Sequence, residues 1–183
     1  MNTWHLAEPT TSAKGQKSCT LTANGKPVRF ELGSRLRTRF GATTLDKNPD
    51  ATRRSLDFVL DDAGEIDKID KWTVEYLSKH SLRLFNKELS KEQVMVQYKP
   101  LLHEYGEHKS VRTKINLSGL RSCTFWDECK ERLDQPENWL DNEYDAFATL
   151  AHLYIMGSTF GWVLETTALR IHPLCVECPF ISA

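Results

Sequence analysis

No apolar run in this 183-residue chain approaches the roughly 18 residues of a bilayer-spanning helix, so a membrane span is not expected and the chain reads as soluble. The N-terminal MNTWHLAEPTTSAKGQKS lacks the apolar centre of a signal peptide. Residues 1–24 are therefore expected to be a flexible tail on an intracellular protein. Excess charge of one sign is missing too. Lys and Arg number 24 against 25 Asp and Glu, a formal net charge of −1, whereas a dedicated duplex-DNA binder carries a strongly basic balance. Five cysteines, Cys19, Cys123, Cys129, Cys175 and Cys178, leave one unpaired in any disulfide scheme and argue for reduced thiols.

The motifs of common enzyme classes are also absent: there is no Gly-rich phosphate loop, no GxSxG and no HExxH. Asp57, Asp61, Asp62, Asp127 and Glu128 are residue types that hold Mg²⁺ in nucleases, but their spacing demands nothing of the kind, and turn and loop acids are the simpler account. Catalysis is not expected. His172, Cys175 and Cys178 form His-x2-Cys-x2-Cys, a weak zinc candidate, because a structural zinc takes four ligands and a fourth would have to come from Cys123 or Cys129. No cofactor is expected. With no internal repeat and no low-complexity tract, the length suits one domain over residues 25–172, followed by a C-terminal tail, 173–183.

What the chain does have is segregated charge and clear periodicity. Between residues 26 and 40 stand Lys26, Arg29, Arg35, Arg37 and Arg39 against Glu31 alone, while 61–70 and 127–145 are mostly acidic. Val28, Phe30 and Leu32 alternate with polar residues, Gly33-Ser34 interrupts, and Leu36, Thr38 and Phe40 alternate with the three arginines. This pattern predicts two strands, or one strand bulged at the glycine. Residues 41–50, rich in turn formers, predict a loop, with Arg53 and Arg54 just beyond it. Leu56, Phe58 and Leu60 predict a strand ended by Asp61-Asp62-Ala63-Gly64. From 65 to 85 the apolar spacing changes to three and four, predicting one amphipathic helix with acids early and cations late. Ser90 to Gln93 has the form of a capping box. Residues 101–110 and 127–145 read as loops, the second a long acidic excursion, and 152–164 reads as a hairpin turning at Gly157, with a further strand over 166–171. The sum is an α+β chain, mainly β, laid out as an OB-like five-stranded barrel with a long helix inserted between strands; an open α+β sheet gives the same local pattern.

The stretch 111–126 carries the functional expectation. Val111, Thr113, Ile115 and Leu117 share one face of a strand and Arg112, Lys114 and Asn116 the other. After Ser118-Gly119 a second short strand sets Cys123 and Phe125 against Thr124 and Trp126. Cations beside an open ring suit single-stranded nucleic acid, which needs charge for phosphates and aromatic faces for bases. The candidate contacts are Arg35, Arg37, Arg39, Arg53, Arg54, Arg112 and Lys114 for phosphate, with Trp126 and Tyr154 for stacking; Phe40 and Trp162 read as core, and His80 as a packed histidine.

A family resemblance rests on KPVRF at 26–30, DATRR at 50–54, SLRLF at 81–85, YKP at 98–100, KIN at 114–116, FWD at 125–127 and IMGSTFGWVL at 155–164. In this order they resemble single-stranded DNA-binding proteins of large double-stranded DNA viruses of algae and protists. More distantly, the order of elements is similar to the OB-fold single-stranded DNA-binding proteins of short-tailed phages. The resemblance implies a non-catalytic barrel that coats unpaired strands in viral DNA replication or recombination, inside an infected cell. Replication proteins and further copies of the chain are the candidate protein partners. The phage proteins end in an acidic tail with a terminal aromatic, whereas this chain ends CVECPFISA, so recruitment through such a tail is not carried over. The alternatives are a protein interaction or assembly module on the same barrel, and single-stranded RNA as ligand.

Overall fold

The computed structural model describes residues 4–13, 15–44 and 51–174. Five short strands come first: β1 (Trp4–Leu6), β2 (Thr10–Thr11), β3 (Lys17–Cys19), β4 (Leu21–Ala23) and β5 (Lys26–Pro27). Then follow β6 (Arg29–Leu36), β7 (Arg53–Leu60), helices α1 (Gly64–Lys79), α2 (Ser81–Phe85) and α3 (Lys91–Gln97), and β8 (Tyr98–Lys99) and β9 (Leu102–Tyr105). The remainder is β10 (His108–Asn116), β11 (Thr124–Trp126), β12 (Arg132–Leu133) and the long pair β13 (Asn142–Met156) and β14 (Thr159–Pro173).

The β13–β14 hairpin is the spine, extending well past the expected 152–164 at both ends. Its second arm runs on through the predicted 166–171 strand. On one edge β13 pairs with β6 and β3. On the other, β14 pairs in parallel with β10 and, further along, with β11. β10 pairs antiparallel with β7, and β7 meets the chain that follows β6: Arg39 N–H donates to Asp57 O and Val59 N–H to Arg37 O, both at 2.9 Å. The sheet therefore curls back on itself around its core.

Strand alternation decides what fills that core. Leu56, Phe58, Val111, Ile115, Tyr144, Leu150, Leu153 and Leu164 point inward and are fully buried, each large apolar side chain contributing roughly 1.5–3 kcal/mol. Where Thr113 and Thr166 face each other inside, their hydroxyls hydrogen-bond at 2.7 Å, so neither polar group is left unsatisfied. α1 buries Ile66, Ile69, Thr73 and Leu77 against this core, and Trp162 Nε1 donates to Thr73 Oγ1 at 2.8 Å. Trp162 is thus a core residue, as expected. The bulge expected at Gly33 is present: the β6–β13 register shifts there, and Arg35 is held at φ 54. The Ser90–Gln93 capping box forms as well.

Several expectations are corrected. The supposed tail, residues 1–24, holds β1 to β4, whose Leu6, Cys19 and Leu21 are among the most buried side chains; runs of two or three residues are too short to show alternation. The helix expected over 65–85 breaks at His80, which caps α1 and precedes α2. Residues 101–110 form β9 and a tight turn at Gly106. The supposed excursion over 127–145 contains buried Trp139, and β13 has already begun at Asn142. Phe40, expected in the core, is exposed. β10 and β11 do not pair with each other; both lie along β14.

Candidate nucleic-acid interface

With Val111, Thr113 and Ile115 committed to the core, pleat geometry turns Arg112 and Lys114 outward. Neighbouring strands supply the residues beside them. Arg112 lies opposite Asp57 and Lys114 opposite Ser55 on β7, while Lys114 lies opposite Glu165 on β14. Across the hairpin, Glu165 is matched by Thr149, Val163 by His152, and Gly161 by Tyr154. These residues form a continuous outer face.

Two recesses on it adjoin at the Lys114–Glu165 pair. One, of about 260 Å³, is lined by Lys99, His103, Arg112, Lys114, Tyr154 and Val163 among others. The other, of about 600 Å³, is lined by Arg29, Arg53, Leu120, Arg121, Thr149, His152 and Glu165 among others. Six Lys or Arg side chains thus line one groove with a single carboxylate, Glu165. Gly161 belongs here for a steric reason, since a Cβ at that position would come within 2.7 Å of the Tyr154 hydroxyl.

The cations are tethered in different degrees. Arg53 Nη2 pairs with Glu165 at 2.8 Å. Arg112 Nη2 lies 3.6 Å from Asp57, a buried carboxylate neither of whose oxygens is hydrogen-bonded. Lys114 Nζ donates to Ser55 Oγ at 2.8 Å; burial, then the neighbouring Arg53 and Arg112, lower its pKa. His152 is likewise lowered, by burial and by Arg53, with Glu165 pulling the other way. Burial raises the Tyr154 phenol. Such an assembly can attract an anionic backbone and offer Tyr154 as an aromatic neighbour to a base.

The remaining expected residues lie elsewhere. Arg39 is on the outer face beyond Asp57, its guanidinium over the Tyr105 ring at 4.1 Å and near Phe40 at 4.8 Å. Arg35 and Arg37 are drawn to acids at the other end of the hairpin: Arg35 to Glu128 at 3.0 Å, Arg37 to Glu143 at 3.0 Å. Arg54 has the opposite parity from Arg53, pairs in register with buried Ile115 and donates to Ala51 O. Trp126 is half-buried beside Arg170, in a separate recess of about 300 Å³ with Lys130, Phe147 and Ala168. The groove therefore unites Arg53, Arg112, Lys114 and Tyr154 and omits Arg35, Arg37, Arg39, Arg54 and Trp126. Sequence reasoning missed Arg29, Lys99, Arg121, His103 and His152. For His152 the signal was its place one strand position pair away from Tyr154.

His172, the zinc candidate, is buried with Nδ1 2.7 Å from Glu128 and Nε2 3.0 Å from Asp145; Cys175 and Cys178 lie outside the described residues. Asp145 also accepts from the Arg35 N–H at 3.0 Å. Burial acts to raise the Asp145 pKa, but the contacts with His172, the Arg35 amide and Arg170 outweigh it and hold the carboxyl below its ordinary value. Among the described residues no three His, Cys, Asp or Glu side chains are grouped to hold a metal ion, and no helix is long and apolar enough to cross a membrane.

No protein-family model matches the chain, and no curated protein matches it in sequence. The resemblance to proteins of algal and protist viruses accordingly has no counterpart in these comparisons. Solved structures do match. The single-stranded DNA-binding protein from bacteriophage Enc34 in complex with ssDNA superposes with a TM-score of 0.51 at 10% identity, over 91% of this chain and 95% of that one. For gp2.5, a single-stranded DNA-binding protein encoded by bacteriophage T7, the TM-score is 0.54 at 9% identity, over 85% and 97%. What the chain shares with these phage proteins is the fold.

Proposed function

We propose that this chain is a non-catalytic single-stranded DNA-binding protein whose curled sheet is an OB-like barrel, acting in viral DNA replication or recombination. The observation that carries the reading is the groove: six cations to one carboxylate, with Tyr154 beside them, on the outer face of the sheet. The fold shared with two phage single-stranded DNA-binding proteins supports it. Affinity comes from counterion release at the phosphates and from stacking, each stacked base adding roughly 1–3 kcal/mol, so binding is tolerant of sequence and weakens steeply with salt. Arg53, Arg112, Lys114 and Tyr154 are the central contacts, with Arg29, Lys99 and Arg121 extending the phosphate track.

The test is a titration of labelled oligo-dT at low and moderate salt, with duplex of equal length as competitor. Tight, salt-sensitive binding that duplex does not displace is expected. No binding at low salt, or equal affinity for duplex, removes the reading. One observation favours the second reading, a protein-interaction module: a cleft of about 460 Å³ between α1 and α3, lined by Val74, Met95, Tyr98 and Pro100 among others, in which Met95 is 60% exposed.

A further inference from the structure

We infer that Trp126 and Phe147 form a second base-stacking site, separate from the groove and in line with it, so that one DNA strand engages both. The inference rests on the single-stranded DNA reading above. Along the outer face of β14, the groove ends near Glu165 and Thr167, and Ala168 and Arg170 continue it past a bulge at residues 147/148. β11 lies along the same edge of β14 as β10, with Thr124 opposite Ala168 and Trp126 opposite Arg170. From Glu165 to Arg170 is roughly 16 Å of strand, a few nucleotides of extended DNA.

The recess is suited to a flat apolar ring. Ala168, across from Phe147, is too small to fill the space between Phe147 and Trp126. Phe147 is 45% exposed in the middle of a strand, where internal packing gives no reason for an aromatic. The Trp126 indole N–H is already satisfied by Thr124 Oγ1 at 3.0 Å, so what the ring offers a ligand is its apolar face. Charge is at hand. Lys130, in a turn fixed by Glu131 N–H donating to Asp127 Oδ1 at 2.7 Å, lines the recess and has no ion-pair partner among the described residues. Arg170 lines it as well, though bound to Asp145 at 3.3 Å. Two acids stand in register beside the recess: Asp145, opposite Arg170 and bound to it, and Glu31 on β6, opposite Phe147 on the far side from Ala168.

The experiment compares Phe147→Ala and Trp126→Ala with wild type on oligo-dT of about six and about fourteen nucleotides, lengths near the two ends of the range for one OB domain. The short oligonucleotide occupies the groove alone. A loss of about tenfold on the long oligonucleotide, with affinity for the short one unchanged, is expected. Lys130→Gln should also lower the salt slope for the long oligonucleotide by about one, and only for that one. Phe147 is exposed, so its variant should unfold at the wild-type temperature and keep the groove intact. Equal losses at both lengths, or none at either, overturn the second site while leaving the groove standing. Failure of wild type to bind either oligonucleotide overturns the single-stranded DNA reading itself.

Discussion

Glu165 is the one carboxylate among the groove cations, and it holds Arg53 at 2.8 Å. Replacing it with Gln frees that guanidinium for phosphate. Glu165→Gln should raise single-stranded DNA affinity by about threefold, the scale of one exposed ion pair, and steepen the salt dependence, as a two-salt titration would detect. His152 faces the same groove with its pKa lowered by burial and by Arg53. A phosphate favours the protonated ring, so affinity should rise as pH falls below the ordinary histidine value of about 6.5, and His152→Gln should flatten that rise. Stability runs the other way. Because the unfolded chain takes up the proton first, the His152 contribution is complete above the ordinary value and declines as pH falls through it toward the lowered one. At this scale the outward placement of Arg112, Lys114 and Tyr154 was legible because alternation states which face a side chain occupies; for Arg53 the sequence shows only that it follows the 41–50 loop. Arg54 lies outside the groove because its parity is opposite to that of Arg53, which charge alone does not reveal. Phe147 escaped because register shifts at 147/148 and 150/152 break the alternation around it.

Elements were legible where one face is apolar over five residues or more, as in β6, β7, β10 and α1. Tertiary hydrogen bonds decided much of the rest. Asp70 on α1 accepts from the Tyr98 hydroxyl and from the Leu101 and Leu102 amides, pinning the chain between α3 and β9 onto the helix. Burial raises its pKa in spite of those three donors. Asp70→Ala leaves the buried Tyr98 hydroxyl and two amides without an acceptor and should cost about 3 kcal/mol, measurable by denaturant unfolding. The pairing of β10 and β11 with β14, by contrast, is a contact across about forty residues or more, and nothing in residues 111–126 names the distant partner.

For the molecule as a whole, the N-terminal strands are structural parts and not an appendage. β3 pairs with the hairpin at Leu153, and Leu6 and Leu21 are fully buried. Deleting residues 1–23 should therefore destabilise the protein by about 4 kcal/mol or more, at roughly 1.5–3 kcal/mol per buried leucine, seen as a large fall in melting temperature. A mainly β chain with helices between strands was available from the sequence, and the sheet curls as that reading expects; the count of five strands was not, since fourteen are present among the described residues, nor was the order in which strands lie side by side, because it depends on contacts far apart in the chain. That same order has a kinetic meaning. β3 and β6 both find their partner in β13, more than a hundred residues downstream, so a nascent chain emerging from the ribosome cannot pair these strands until β13 is made. Refolding from denaturant should accordingly be limited by long-range closure and proceed on the millisecond-to-second scale of high-contact-order β proteins.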